Sequence, residues 1–219
     1  MSSAPPPALL ELLAAGLAEL SHPRRNDAAA LTSLARLCAL VGAWAGQLNL
    51  TGHRGPEPVA RDLVLDAAAL DLVIPSEAQT LADIGSGAGF PGLPVAILRP
   101  AGRVTLIESR ERRHHFQRHA IRTLGLGNAV ALRGRAELLP ATGHACAVAQ
   151  AAAQPVLALR WLARWVAPGG VAVIPGSAAR PPDAGEALPP GWSARVVTYQ
   201  VPLGGRERTA WIARAPSRG

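Results

Sequence analysis

Four glycines within residues 80–92 give the chain its clearest chemical signal. This stretch begins as a short apolar strand, passes the acid Asp83, and then places glycines at positions 85, 87, 89 and 92. Glycine tolerates a positive φ and lets a ligand approach the main chain, so alternate glycines between a strand and a helix predict a small-molecule cradle at the helix N-terminus. Residues 87–92 also fit the dinucleotide pattern G-x-G-x-x-G, which alone identifies no particular cofactor.

Two acids near this loop separate the classes of nucleotide cofactor. Asp83 would repel the pyrophosphate of a dinucleotide, whereas it would attract the cationic ammonium group of S-adenosylmethionine. Glu108 ends the next predicted strand, 21 residues after Gly87, where nucleotide-binding α/β folds place an acid that binds ribose hydroxyls. Alternatively, Glu108 is a helix N-terminal acid that stabilises the helix dipole. Asp83 favours a methyl donor.

Arginine is concentrated in one part of the chain. The protein contains 22 arginines and no lysine, and its formal net charge is +7. Nine arginines and only two acids lie in residues 99–135, together with His114, His115 and His119. This excess predicts attraction to a polyanion such as RNA, DNA or anionic lipid. A solvated helix face is the alternative, but the stretch flanks the predicted cofactor site, which favours nucleic-acid contact.

Cysteines and apolar segments limit the compartment. Cys38 and Cys146 are far apart in sequence and fit neither a disulfide framework nor a metal site. The N-terminus lacks the features of a secretion signal, and no uninterrupted apolar run reaches the roughly 18 residues that span a bilayer. We therefore expect a cytoplasmic protein without a membrane span, and we expect it to be a monomer.

Three predicted helices precede the first strand. Apolar residues recur at helical spacing over 8–20 and, from the candidate N-cap Asp27, over 27–44. A third helix is expected at 57–73, between Pro56 and Pro75. We expect residues 1–75 to form a helical extension packed on a core domain of residues 76–219.

From Thr80 onward, strands and helices alternate. Strands are predicted at 80–84, 103–107, 129–132, 145–149 and 171–175, with helices at 91–98, 110–124 and 155–166. We expect a turn at 168–170, a proline-rich loop at 178–190, and a final hairpin at 195–201 and 208–214 with glycines 204 and 205 in its connection. This order predicts an α/β fold, with a mostly parallel sheet, N-terminal helices and a C-terminal antiparallel hairpin. It resembles the Rossmann-like class I fold of S-adenosylmethionine-dependent methyltransferases.

The sequence lacks two devices of other nucleic-acid methyltransferases. A cytosine-C5 enzyme needs a cysteine nucleophile, but Cys146 falls within the predicted fourth strand and is expected in the core. Enzymes that methylate exocyclic amines usually carry Asn/Asp-Pro-Pro-Tyr/Phe after that strand, where this chain has Ala149-Gln-Ala-Ala152. A ring nitrogen with its own lone pair, such as guanine N7, requires neither device, because alignment and charge placement supply the catalysis.

The motif Asp83-Ile-Gly-Ser-Gly-Ala-Gly-Phe-Pro-Gly92 resembles that of one family, the 16S ribosomal RNA guanine-N7 methyltransferases, also called glucose-inhibited division protein B. Further similarities are Asn49-Leu-Thr51, Val104-Thr-Leu-Ile-Glu-Ser109, Arg112-Arg113 with Phe116, Leu124-Gly-Leu126 with Asn128, and Arg135-Ala-Glu137. The resemblance implies methylation of a guanine in the decoding region of 16S rRNA. It makes S-adenosylmethionine the expected cofactor and the small ribosomal subunit the expected partner.

The expected site residues fall into two sets. Cofactor contacts are expected from Asp83, Gly85, Gly87, Gly89, Phe90, Glu108, Ser109, Ala136, Glu137 and Gln150. Among these, the resemblance implies the roles of Gly85, Phe90, Ala136 and Glu137. Substrate positioning, with RNA as the expected substrate, is expected from Asn49, Arg61, Asp66, Arg112, Arg113 and Arg208. No general base is assigned.

Several positions depart from the family pattern. The family has the motif Arg-His-x-x-Asp-Ser. At the corresponding positions, this chain keeps the arginine as Arg61 and the acid as Asp66, but it lacks the histidine and the serine. After the fourth strand, the family's Ser-Arg-Ala is replaced by Ala149-Gln-Ala151, in which the glutamine can still form hydrogen bonds but carries no charge. After the fifth strand, the family's Lys-Gly is replaced by Pro175-Gly176. Only Glu207-Arg208 remains of its cationic C-terminal set. Two alternatives therefore stay open: a same-fold methyltransferase with another RNA or small-molecule substrate, and an inactive cofactor-binding assembly factor.

Overall fold

Four helices begin the chain in the computed structural model, which describes residues 4–48, 50–176, 188–204 and 206–217. Their bounds are α1 Pro7–Glu19, α2 Ala28–Leu48, α3 Pro56–Val59 and α4 Leu65–Asp71, and a π-helical turn at Ala60–Val64 joins α3 to α4. The predicted site residue Asn49, most of the proline-rich loop and Gly205 lie outside the described residues.

Asp27 begins α2 as the sequence predicts. Its Oδ1 accepts a hydrogen bond from the N–H of Ala30 at 2.8 Å, which satisfies one free donor of the first turn. The predicted third helix is found as α3, the π-helical turn and α4 in succession. The turn contains one widened ring of backbone hydrogen bonds, a local change that the apolar spacing of the sequence does not reveal.

Helix α2 is long and apolar enough to cross a membrane over Ala28–Gly46, by length and composition alone. Core helices pass the same test, and α2 has the packing of one. Its residues Leu34, Leu37 and Val41 are completely buried, and they belong to the apolar cluster that also contains Leu106 of the sheet.

Seven strands form one sheet. Their bounds are β1 Thr80–Ile84, β2 Arg103–Glu108, β3 Ala129–Arg133, β4 His144–Val148, β5 Val166–Pro175, β6 Ser193–Val201 and β7 Arg206–Arg214. The spatial order is β3-β2-β1-β4-β5-β7-β6. Strands β1 to β5 are parallel, whereas β7 is antiparallel to both β5 and β6. The predicted fold class is confirmed, and the reversal of order between β1 and β4 marks where such sheets bind ligands.

Helices cover both faces of this sheet. Helices α5 (Gly92–Leu98) and α6 (Glu111–Leu124) pack on one face with the N-terminal helices, whereas α7 (Pro155–Trp165) packs on the other. Side chains alternate along a strand, so β1 sends Leu81 into the first apolar cluster and Ile84 into the second. The carboxyl ends of the strands are thereby held in fixed positions by two layers of packing.

The predicted turn at 168–170 is wrong, because these residues lie within β5. This strand begins at Val166, directly after α7. Gly169 has a φ of +76°, and a Cβ at Gly170 would stand 2.8 Å from the carbonyl oxygen of Ala145. The glycines therefore permit a local irregularity and a close backbone approach inside the strand, which are two common uses of strand glycines.

One arginine of the basic stretch is structural. The Arg99 guanidinium lies 2.6 Å from the Asp71 carboxylate at the end of α4. It also donates hydrogen bonds to the carbonyl oxygens of Asp71, Ile74 and Pro75 at 2.7–2.9 Å. Asp71 is buried and contacts His22 at 3.2 Å. Arg99 thus binds the carbonyl oxygen of the last residue of α4 and two more in the segment that follows, and these contacts occupy it within the fold.

Replacing Arg99 by alanine is expected to lower the free energy of unfolding by about 3 to 5 kcal/mol, because the buried Asp71 carboxylate loses its guanidinium partner. Urea titration monitored by circular dichroism measures the effect. Arg103→Ala is the matched control, since Arg103 is exposed at the start of β2 and forms no ion pair within the described residues. Equal stabilities of the two variants would contradict the assignment.

Candidate cofactor and acceptor site

The glycine-rich loop between β1 and α5 is attached to the neighbouring strand. Gly85, Gly87 and Gly89 have φ values of +67°, +58° and +90°, which disfavour any residue with a side chain. The N–H groups of Gly85 and Ser86 donate to the carbonyl oxygen of Ile107 in β2 at 2.8 and 3.1 Å. A Cβ at Gly85 would stand 2.7 Å from the Ala152 methyl group, so glycine is required there for packing as well.

Gln117 of α6 supports the same loop. Its Nε2 donates to the Ser86 hydroxyl at 2.8 Å and to the Gly87 carbonyl oxygen at 2.9 Å, and the side chain is completely buried. Sequence reasoning missed this residue. The available signal was its spacing, because Gln117 lies three residues before the buried Ala120 and one after the buried Phe116 in an otherwise basic helix.

Asp83 lies beneath the loop and is completely buried. Its Oδ2 accepts a hydrogen bond from the N–H of Gly92 at 2.8 Å, whereas its Oδ1 has no hydrogen-bond partner among the described residues. Burial raises the pKa of this carboxyl from 3.8 to about 7, the Gly92 hydrogen bond opposes the rise, and the charge of Glu108 adds to it. The Oδ1 atom is therefore a buried acceptor that a ligand or a water could satisfy.

Glu108 joins the loop to α6. Its Oε2 accepts from the N–H of Gly87 at 3.0 Å, and its Oε1 accepts from the N–H of Arg110, the N-cap residue of α6, at 2.7 Å. The helix-terminal role considered from the sequence is thus present in the structure. The same side chain also lines a cavity, so the two roles do not exclude each other.

A cavity of about 330 Å³ opens at the carboxyl ends of β1, β2 and β3, a volume within the range of small-molecule sites. Five predicted cofactor residues line it, namely Gly85, Glu108, Ser109, Ala136 and Glu137. Arg113, expected from the sequence to contact RNA, also lines this cavity. The structure therefore brings half of the predicted cofactor set around one space, together with three arginines, Arg110, Arg113 and Arg135.

The other predicted cofactor residues shape the loop or lie beside the cavity. Gly87 binds Glu108 through its N–H, and a Cβ at Gly89 would collide with the side chain of Leu93. Phe90 packs against the apolar core. The Gln150 side chain donates a hydrogen bond to an acid of α4.

Ala136 and Glu137 close the cavity next to β3. The Ala136 carbonyl oxygen accepts a hydrogen bond from Nε1 of Trp165 at 3.1 Å, which fixes this turn against α7. Glu137 Oε1 lies 2.7 Å from Nε of Arg135. A hydrogen bond from its own backbone N–H is the main cause that lowers the pKa of Glu137, and the hydrogen bond from Arg135 is the second. This side chain is therefore a carboxylate at neutral pH.

Two residues expected to contact RNA lie together on the other side of Gly85. Arg208 Nη1 is 3.2 Å from Asp66 Oδ2, and Nε2 of Gln150 donates to the same oxygen at 2.9 Å. The Tyr199 hydroxyl donates to Asp66 Oδ1 at 3.4 Å. Tyr199 was missed because nothing in a strand sequence distinguishes a tyrosine that meets an acid from one that packs in the core.

Arg61 and Arg112, the other predicted substrate-positioning residues on the described surface, are exposed. Arg61 forms a surface pair with Glu57 at 3.1 Å and does not reach Asp66, as the five-residue separation on one helical run implies. Arg112 and Arg118 of α6 are exposed and form no ion pair within the described part of the chain. Three exposed arginines, Arg112, Arg118 and Arg122, thus lie on the same helix as Arg113, which lines the cavity.

Asp83 is expected to make stability depend on pH in the cofactor-free protein. Its folded pKa of about 7 exceeds its ordinary value of 3.8, so the folded state binds this proton more tightly than the unfolded state. The free energy of unfolding of the unmodified protein, relative to that of Asp83→Asn, should therefore fall as pH rises from about 4 to about 7 and stay level above that. Urea titrations across this range measure the difference, and a difference independent of pH would contradict the burial argument.

Two solved structures share this fold at low sequence identity. A SAM-dependent methyltransferase from Aquifex aeolicus has a TM-score of 0.53 and 20% identity, and the match covers 72% of this chain and 93% of that one. Cofactor-bound Rv0187 from MTB has a TM-score of 0.56 and 18% identity, and the match covers 100% of both chains. At these identities the likeness concerns the fold alone.

Sequence comparison identifies the family. Residues 30–178 match the family model GidB, described as rRNA small subunit methyltransferase G. Ribosomal RNA small subunit methyltransferase G of Stenotrophomonas maltophilia (strain R551-3) is 37% identical over 203 residues, covering 90% of this chain and 91% of that protein. The protein of that name from Xanthomonas euvesicatoria pv. vesicatoria (strain 85-10) is 39% identical over 186 residues, covering 80% and 82%. The chain therefore belongs to the GidB family of rRNA small subunit methyltransferases G.

Proposed function

We propose that the protein transfers a methyl group from S-adenosylmethionine to N7 of a guanine in 16S ribosomal RNA. The names of its relatives support a ribosomal RNA substrate. The structural observation that carries the proposal is the cavity at the carboxyl ends of β1 to β3, beside a loop with three left-handed glycines. The proposed partner is the small ribosomal subunit, and the proposed acting form is a cytoplasmic monomer.

The residues around the cavity fit this cofactor. Gly85 and Gly87 expose main chain without side chains, which allows a ligand to approach closely. Asp83 does not line the cavity but lies beneath the loop; its Oδ1 has no partner among the described residues, and the field of its carboxylate favours a cationic ammonium above the loop. A pyrophosphate in the cavity would face the carboxylates of Glu108 and Glu137, which line it, so a dinucleotide fits poorly.

The cavity walls favour one orientation of the cofactor. Glu108 and Ser109 would hold the ribose, and Ala136 with Glu137 would border the adenine. The methionine half would then lie along Gly85, toward the loop after β4. When bound, S-adenosylmethionine supplies an electrophilic methyl group. The acceptor base would approach on the side of the loop after β4, since the nucleoside occupies the opposite end.

Alignment is the main catalytic task of this chain. Guanine N7 carries its own lone pair, so no side chain has to remove a proton before attack. Cys146 does not offer a cysteine nucleophile, because it is completely buried in β4 and burial raises the pKa of its thiol to about 12. The surroundings of β4 therefore favour an acceptor that is already nucleophilic.

Arginines on α6 divide between the two substrates. Arg113 lines the cavity, and we assign it to the cofactor side. Arg112 and Arg118 are exposed, and we assign them to RNA phosphates. Phosphate contacts of this kind fix the register of an RNA without selecting its sequence, so selection of the guanine falls to the residues near the acceptor.

Gly87→Asp is expected to weaken S-adenosylmethionine binding by at least about 100-fold, because it adds a side chain and a second carboxylate beside Glu108 at the cavity edge. Isothermal titration calorimetry measures the dissociation constant. A Cβ at Gly87 would lie 3.9 Å from its nearest neighbours, and aspartate tolerates the left-handed conformation better than most residues, so the variant should fold.

Gly125→Asp is the matched control for that substitution. Gly125 has a φ of +67°, and a Cβ added there would meet open space, but this residue ends α6 far from the cavity lining. The control substitution therefore carries the same backbone cost and the same added charge. Cofactor affinity lost equally in both variants, or retained in Gly87→Asp, would refute the cradle assignment.

Small ribosomal subunits from a strain without the family enzyme should accept one methyl group per particle. Incubation with this protein and labelled S-adenosylmethionine is expected to place all label in 7-methylguanosine of 16S rRNA, because only a ring nitrogen suits a site without a general base. Mass spectrometry of nuclease digests identifies the nucleoside and its position. Binding without transfer would instead indicate an assembly factor, and label in another nucleoside would indicate a different acceptor.

A further inference from the structure

Four polar side chains from separate parts of the chain meet beside the cavity. Asp66 belongs to α4, Gln150 follows β4, Tyr199 lies on β6 and Arg208 lies on β7. Asp66 Oδ2 accepts from Gln150 Nε2 at 2.9 Å and lies 3.2 Å from Arg208 Nη1. Its Oδ1 accepts from the Tyr199 hydroxyl at 3.4 Å. One carboxylate thus links the N-terminal helices, the loop after β4 and the C-terminal hairpin, and we call these four residues the Asp66 cluster.

Charge and burial make this cluster a rigid unit. Asp66 is only 3% exposed, and an ionised carboxylate at such depth requires a cation and several hydrogen-bond donors. Tyr199 and Arg208 are directly opposite on paired strands, so both reach the same carboxylate. Burial is the main cause that raises the pKa of the Tyr199 hydroxyl, and the charge of Asp66 is the second. The hydroxyl therefore stays protonated and donates its hydrogen bond to Asp66.

The cluster is connected to the cavity through two consecutive alanines. Ala151 and Ala152 follow Gln150 directly and line the cavity. Ala151 has a φ of +51°, a strained conformation that persists only where surrounding contacts hold it. Ala152 packs against Gly85 of the glycine loop. The hydrogen bond from Gln150 to Asp66 is therefore one of the contacts that hold this wall against the cofactor loop.

Arg208 gives the cluster a face toward solvent. Its side chain is 26% exposed, whereas that of Asp66 is 4% exposed. A guanidinium carries five N–H donors in a planar fork, and Asp66 orients that fork through Nη1. An arginine held in this way presents its outer edge in a fixed direction, which a free surface arginine does not.

We propose that Asp66 is a positioning residue for methyl transfer: it holds Gln150 and Arg208 as one wall, against which the acceptor guanine is aligned. This inference rests on the proposed function, because it assumes that the acceptor approaches past the loop after β4. Asp66 acts through Gln150 and Arg208 and touches neither substrate. Its removal should therefore affect the rate of the aligned complex more than the binding of either substrate.

The test is Asp66→Asn, which keeps the shape and a carbonyl acceptor for Gln150 but removes the charge that orients Arg208. With small ribosomal subunits as substrate, kcat is expected to fall about 10- to 100-fold, the cost of a small misplacement of reacting groups. The dissociation constant for S-adenosylmethionine should change less than about twofold, because no lining residue of the cavity is altered. Steady-state rates at saturating concentrations of both substrates give kcat, and isothermal titration calorimetry gives the dissociation constant.

Glu77→Gln is the matched control. It removes one negative charge by the same type of substitution at an exposed position, where the carboxylate accepts a long hydrogen bond of 3.5 Å from the Ser76 hydroxyl. Its kcat should equal that of the unmodified protein. A kcat of Asp66→Asn equal to that of this control would overturn the proposal, and so would an equal loss of cofactor affinity, which indicates a general structural role.

A double-mutant cycle tests whether Asp66 acts through Arg208. Arg208→Gln alone should lower kcat, and the double variant Asp66→Asn/Arg208→Gln should lose no more than the slower single variant, because both substitutions break one unit. Additive losses would overturn the proposal. If Asp66→Asn does not fold, Arg208→Gln alone tests the proposal: its kcat should fall, and its dissociation constant for S-adenosylmethionine should change less than about twofold. An unmodified protein that methylates no ribosomal subunit would instead refute the proposed function, so the two failures are distinguishable.

Discussion

Two carboxylates hold the glycine-rich loop from opposite sides, and the position of the site depends on them. Asp83, buried under the loop, binds the N–H of Gly92 at the start of α5. Glu108, at the end of the neighbouring strand, binds the N–H of Gly87. A loop of small residues has little packing of its own, so hydrogen bonds from rigid strands define its path. Burial raises the pKa of Asp83, and the nearby charge of Glu108 adds to the rise; a cationic ligand would oppose both effects.

The basic stretch of the sequence serves three different purposes in the structure. Arg99 binds carbonyl oxygens at and just after the end of α4, Arg113 lines the cavity, and Arg112 is exposed on the surface of α6. Arginines that are close together in the sequence thus have different surroundings in the fold, because their side chains point in different directions. Only the exposed part can contribute to attraction of a polyanion, which makes the RNA-binding surface smaller than the count of arginines implies.

The Asp66 cluster bears on the main departure from the family pattern. Where the family has a cation after the fourth strand, this chain has Gln150, whose neutral amide binds Asp66. The counter-charge at Asp66 is supplied from β7 by Arg208. Arg208, which the family pattern also has, therefore supplies the positive charge beside this loop, and Gln150 adds a hydrogen bond without charge.

The sequence by itself determined the fold class and β1 to the residue, and it predicted the glycine-rich loop as the cofactor site, because strand patterning, glycine spacing and the position of Asp83 are local properties. It also placed Gly85, Glu108 and Ala136, which line the cavity. Only the tertiary structure decided the roles of Gln117, Arg99 and the Asp66 cluster. The partners of these side chains lie 24 to 142 residues away, and such contacts depend on how strands and helices pack in space, which no local period records.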